Sequence, residues 1–261
     1  MCSLPPFIEE IALCSNALKA DCTVARAGSL KPSFDVDFDL TGVPKASAFI
    51  GRRSDLDSVE RRLAPGEVRD RRKICVIHGL GGMGKTQLAI EYARLHKDLY
   101  TSFFWIDGKT EESLLQSLLR IALRLPKGQM ADMDVQKIRG LEESRKAAQE
   151  VLKWFALKGN TQWLLVFDNI DKTSYEEEPD QHTGMSLYDI TQYFPGGDTG
   201  SIILTSRLQR LVSLGSPVYL QKLGIVDGLL LLENHTRRSL RLGNRQATSE
   251  NSSGIEDWDL G

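Results

Sequence analysis

"GLGGMGKTQLAIEYARLHK", Gly79 to Lys97, follows directly on "KICVIH", Lys73 to His78, and this junction decides the fold. The residues before the glycines form a short β-branched, apolar run. After them Leu88, Ala89, Ala93 and Leu95 recur at helical spacing. The order is therefore strand, glycine loop, helix. A polyphosphate must be held by many donors without steric obstruction, and Gly79, Gly81, Gly82 and Gly84 let backbone N–H groups turn inward. The helix beginning near Lys85 points its positive end at the same place. Lys85 adds a full charge for the β- and γ-phosphates, and the Thr86 hydroxyl is positioned to ligate magnesium, with Met83 and Gln87 completing the binding segment. The implied ligands are ATP or ADP with Mg2+. A plain glycine turn is the alternative, and the flanking strand and helix weigh against it.

Downstream, "SFFWID" (Ser102 to Asp107) reads as a second buried strand, and Thr110 with Glu111 and Glu112 caps an apolar helix through Leu123. A third helix, roughly Leu141 to Leu157 and closed by Gly159, leads into "WLLVFD" at Trp163 to Asp168. "SIILTSR", Ser201 to Arg207, supplies another strand. Strands alternating with helices predict an α/β, three-layer P-loop NTPase fold, with a central parallel sheet and short helical extensions at both ends.

Asp168 ends its strand at the carboxyl edge, the usual ligand side of such sheets, where it would hold magnesium. A strand-ending aspartate also initiates turns, and the upstream phosphate loop tips the balance to the functional role. Arg207 would reach the same edge and sense a γ-phosphate, although a surface arginine is an equal alternative.

Four segments are expected. Residues 1–45, with an apolar helix candidate at Phe7 to Leu18, form an extension and linker, and residues 46–215 form the nucleotide-binding domain. Residues 216–242 form a helical extension that contains "VDGLLLLENHTRRSLRL", and 243–261 form a disordered tail. The domain opens on "FIGRRSDLDSVERRL" from Phe49, with Ser54 as N-cap and Leu56, Val59 and Leu63 on one face. The acidic, turn-rich Asp171 to Asp189 reads as a mobile surface insertion.

A formal net charge of −2 gives no sequence-wide reason to bind nucleic acid or an anionic membrane. The arginines at 52, 53, 61, 62, 69, 71 and 72 are interrupted by acids, as on a solvated helix face. Cys2, Cys14, Cys22 and Cys75 lack paired spacing, and His78, His96, His182 and His235 lack ligand spacing, so reduced thiols and no zinc site are expected. With no basic, apolar leader and no membrane-length run, the expected location is the cytoplasm.

Taken in order, "FIGRRSDL", "GLGGMGKTQLAIEYA", "FFWIDGKTEESL", "WLLVFDNID" and "GSIILTSR" resemble the NB-ARC nucleotide-binding domain of STAND-class P-loop NTPases. "YFPGGDTGSIILTSR" and the "DNID" ending further resemble fungal NOD-like receptors. The resemblance covers about Ala48 to Arg238. It implies a switch that ADP holds closed and ATP opens, followed by self-association or pairing with longer NB-ARC receptors.

By the resemblance, Gly84, Lys85 and Thr86 would bind phosphates and magnesium. Asp168 would be the Walker B acid, Arg207 the sensor arginine, and Phe49, Ile50 and Arg52 would lie by the adenine. Many relatives carry a second acid after the Walker B aspartate as base for water; here it is Asn169, whose amide cannot take a proton. Asp171 is the substitute to consider. Hydrolysis is therefore expected to be slow or absent, with Lys85, Asp168 and Arg207 as its catalytic set if it occurs.

The chain carries no "GLPL"-like segment or "MHD" motif and is expected to be a fragment of a longer receptor or a short form of one. Two other readings are a dedicated P-loop ATPase acting on a macromolecule, and a truncated decoy that pairs with full-length receptors.

Overall fold

In the computed structural model, the residues described are 33–41, 43, 49–64, 71–130, 133–174 and 187–236. The expected helix at Phe7 to Leu18 and the tail at 243–261 lie outside them.

Five strands, β1 (Lys73–His78), β2 (Ser102–Asp107), β3 (Trp163–Asp168), β4 (Ser201–Ser206) and β5 (Ser216–Tyr219), form one sheet in the order β2-β3-β4-β1-β5. All four pairings are parallel. The helices are α1 (Arg53–Leu63), α2 (Lys85–Leu95), α3 (Glu111–Ala122), α4 (Gly140–Phe155) and α5 (Ile225–Thr236). This is the expected three-layer α/β P-loop NTPase fold.

Alternation along each strand sorts side chains between two cores. Phe104, Ile106, Leu165, Phe167, Ile202 and Leu204 point to the layer holding α3 and α4. Phe103, Leu164, Val166, Ile203, Cys75 and Ile77 point to α1 and α2. Covered on both faces, β3 and β4 are buried at every position, which is why they read as unbroken apolar runs.

Four expectations change. β5 was not anticipated, because "SPVY" is four residues long and carries Pro217, which cannot donate to a ladder; an edge strand beside β1 tolerates both. Ser54 is not the N-cap of α1. The helix starts at Arg53 with Arg52 at the cap, and no side chain caps it. The arginines are not all on a solvated face. Arg52 is buried, and Arg72 donates to the carbonyls of Pro195 and Gly197. The base of the acidic insertion is fastened rather than loose: Thr173 and Tyr188 are buried, and Thr173 Oγ1 donates to the Tyr188 carbonyl at 2.7 Å. Residues 175–186 of that insertion lie outside the described residues.

Within the stretch expected as linker, "SFDVDFDL" (Ser33 to Leu40) alternates apolar and polar residues, as an extended chain with one buried face does. Val36 N–H donates to the Thr101 carbonyl at 2.8 Å, Phe34 meets Trp154 edge-on and Phe38 lies 4.8 Å from Phe103.

Cys75 sits in β1 with no exposed surface, and burial pushes its thiol up to about 12. The thiolate is the reactive form, so Cys75 should resist iodoacetamide in the native protein at pH 8 and react once unfolded. Rapid native labelling of the Cys75 peptide by mass spectrometry would contradict this burial.

Candidate nucleotide-binding site

The carboxyl ends of β1, β4 and β3 lie level: His78 is in register with Ser206, and Phe167 with Leu204. Between β1 and β2 the chain crosses to the far edge of the sheet, whereas β5 returns to the other side of β1. That reversal opens a crevice at the strand ends, where open α/β sheets bind ligands.

The glycine loop fills this position. Gly84, at the N-cap of α2, has φ 85° and ψ 21°, a left-handed conformation that favours glycine. From there α2 directs its N-terminal N–H groups into the crevice. Lys85 Nζ donates to the carbonyls of Gly79 and Leu80, both at 2.8 Å, and so braces the loop from inside. Burial, more than its charged neighbours, lowers the Lys85 pKa.

Asp168 is 1% exposed. Its Oδ1 accepts from Thr86 Oγ1 at 2.8 Å and from Thr205 Oγ1, and its Oδ2 accepts from Asn169 Nδ2 at 3.1 Å. Burial raises the carboxyl above the usual range, and the hydroxyl hydrogen bonds pull against it. Asn169 has φ 63°, a left-handed conformation that asparagine tolerates better than most residues, and its N–H donates to Thr205 Oγ1 at 3.0 Å.

One cleft of about 390 Å³ is lined by Gly81 through Gln87 together with Asn169, Asp171 and Arg207. Arg207, far from Lys85 and Thr86 in sequence, thus faces the same space as they do, with Asp168 bonded to Thr86 beside it. Gly79 contributes its carbonyl to Lys85 rather than lining the cleft. Asp171 does not stand free: its two oxygens accept from Arg207 N–H at 2.7 Å and Arg207 Nε at 2.6 Å.

A second cleft of about 320 Å³ adjoins the first and shares Gly82, Met83, Gly84 and Gln87 with it. Phe49, Ile50 and Arg52 form one wall. Arg52 is clamped there, Nη1 to Asp55 at 2.9 Å and Nη2 to the Met83 carbonyl at 2.8 Å. The opposite wall is Lys222, Leu223 and Leu231, residues the motifs did not indicate. Gly51 lets α5 approach, since a Cβ there would stand 2.3 Å from Asp227 Cγ. Thr205 was also missed. Its signal was the "TSR" triplet, read only for its arginine.

The donor set suits a hard divalent cation. Among the described residues no cluster of three His, Cys, Asp or Glu side chains could hold a metal alone. Magnesium, however, takes one or two protein oxygens plus phosphates and waters, which fits the Thr86 hydroxyl and Asp168 carboxylate. Among the described residues no helix is long and apolar enough to cross a membrane.

No protein-family model matches the chain. It is similar to a nucleotide-binding leucine-rich repeat (NLR)-like protein of Hyaloscypha variabilis, at 28% identity over 214 residues. The match covers 78% of this chain but only 20% of that protein. Among solved structures, Cdc6p from Pyrobaculum aerophilum matches with TM-score 0.45 and 16% identity, covering 80% of this chain and 56% of that one. The ORC1 protein of Aeropyrum pernix, solved in complex with DNA, gives TM-score 0.46 and 15% identity, with 80% and 55% covered. A STAND protein with a tetratricopeptide repeat sensor from Pyrococcus horikoshii gives TM-score 0.39 and 16% identity, with 75% and 26% covered. The chain has the P-loop NTPase fold and resembles the STAND-class, NOD-like nucleotide-binding domains, as its motifs imply.

Proposed function

We propose that this chain is the ATP/ADP-binding switch module of a cytoplasmic STAND-type receptor, that it uses Mg2+, and that it hydrolyses ATP slowly or not at all. The observation that carries the reading is the contrast around Asp168. The groups for holding a nucleotide are together: Lys85 in the loop, Thr86 bonded to Asp168, and Arg207 across the cleft. The position for a second acid instead holds Asn169, whose amide is bonded to Asp168. Asp171, the remaining acid of the cleft, has both oxygens bonded to Arg207.

In this reading the loop N–H groups and Lys85 bind the phosphates, and Phe49, Ile50 and Arg52 with Leu231 enclose the adenine. Thr86 and Asp168 would hold the ion, which when bound supplies charge neutralisation between the phosphates. Among the described residues lining the cleft, Asp171 is the only carboxylate, and its pairing with Arg207 leaves none free to take a proton from an attacking water, so bound ATP persists. The second cleft supports coupling of nucleotide to conformation. Leu231 in that lining belongs to α5, so the adenine end touches an element outside the sheet.

The test is to denature the purified protein, identify released nucleotide by chromatography, and follow phosphate release from added Mg-ATP. Bound ADP and turnover below about 0.1 per second are expected, two orders under the enzyme median of roughly ten per second. Turnover near that median would favour a dedicated ATPase, and a protein that neither retains nor binds nucleotide would remove the proposal altogether.

A further inference from the structure

Arg207 is exposed at the cleft, its side chain 57% accessible, yet it is held. An arginine in water samples many rotamers, and selecting one costs side-chain entropy unless a partner fixes it. Here the partner takes only one edge of the fork. Nε and the main-chain N–H of Arg207 both donate to Asp171, at 2.6 and 2.7 Å. Among the described residues Nη1 and Nη2 have no hydrogen-bond partner. Nη1 lies against the phosphate loop, since a Cβ built on Gly81 would stand 3.8 Å from it.

Asp171 is itself set in place. Its side chain is 19% exposed, its N–H donates to the Asn169 carbonyl at 2.8 Å, and Ser206 Oγ lies 3.5 Å from Oδ1. The carboxylate therefore has a fixed direction, and it spends both oxygens on the inner side of Arg207. What remains is a pair of parallel donors on a full positive charge, the arrangement that recognises phosphate oxygens.

We infer that Asp171 is a positioning residue: it holds Arg207 by Nε and main chain so that the free Nη groups face the phosphate loop and read the terminal phosphate of a nucleoside triphosphate. The inference rests on the nucleotide-binding reading and adds to it the residue that sets the preference for triphosphate over diphosphate. It also gives Asp171 a role other than accepting a proton from water.

Titration calorimetry of the nucleotide-stripped full chain with Mg-ATP and with Mg-ADP tests this in wild type, Asp171→Asn, Arg207→Ala and the double variant. Asn at 171 keeps one acceptor but cannot accept Nε–H with a carboxylate's charge. It should lower the ATP-to-ADP affinity ratio about tenfold. Arg207→Ala should lower it at least as much, and adding Asp171→Asn to Arg207→Ala should change the ratio less than about twofold. Equal losses for both nucleotides, or a full additional loss in the double variant, overturn the inference while leaving nucleotide binding intact. If Asp171→Asn does not fold, Arg207→Lys serves: it keeps the charge without the fork, and an unchanged ratio there overturns the inference. A wild-type chain that binds neither nucleotide overturns the reading beneath and this inference with it.

Discussion

Replacing Lys85 by alanine should weaken Mg-ATP and Mg-ADP binding by about a hundredfold while leaving the fold in place. The ammonium is partly buried, and its pKa is lowered by that burial, so it meets phosphate with little water to displace. Two charge-assisted hydrogen bonds at about 1.5 kcal/mol each come to roughly 3 kcal/mol, which is about a hundredfold in affinity. The same ammonium donates to the Gly79 and Leu80 carbonyls, so the substitution also slackens the loop. Calorimetric titration gives the affinity, and denaturant unfolding without ligand gives the fold, which should change by less than about 1 kcal/mol, as for a position outside the cores. An affinity within threefold of wild type would mean that this loop does not hold phosphates.

The largest effect on stability should come from Trp154→Ala, at about 3–5 kcal/mol. Trp154 is 1% exposed on α4 and is met by three other aromatic rings: Phe155 at 5.1 Å, Phe34 at 5.7 Å and Phe104 at 6.2 Å between centroids. Its indole N–H donates to Gln129 Oε1 at 2.9 Å. Alanine would leave a cavity among rigid rings that cannot collapse and an orphaned amide oxygen. Against a total of about 5–15 kcal/mol for a domain, such a loss leaves little margin. A loss under about 1 kcal/mol in urea unfolding would show that α4 does not pack on β2 through this residue.

The features legible in the sequence share one property: their meaning is complete within a short stretch. β3, at Trp163–Asp168, was read to the residue because a strand covered on both faces is apolar throughout. Thr110 was read as a cap, and it accepts from Ser113 N–H in a capping box that runs only from Thr110 to Ser113. Where a residue's partner is distant, local reading failed. Ser54 lay at a plausible capping position, but Arg52 takes that place and is anchored to the Met83 carbonyl, 31 residues on. "SPVY" has too little length and the wrong residue for a strand until β1 is placed beside it. "SFDVDFDL" alternated visibly, but the groove that receives Phe34 exists only once α4 is formed.

By itself the sequence determined the phosphate loop, the strand that precedes it and the helix that follows, because glycine freedom, N–H donors, the Lys85 charge and helix dipole all act within eight consecutive residues. Only the tertiary structure decided what surrounds that loop. Thr205 reaches Asp168 across 37 residues, and Asp171 reaches Arg207 across 36. Leu231 closes the second cleft from a helix outside the sheet. Such contacts carry no periodicity along the chain, because they depend on strand order and on where each strand ends. Strand order is settled by packing both faces of the sheet at once, which no single segment encodes.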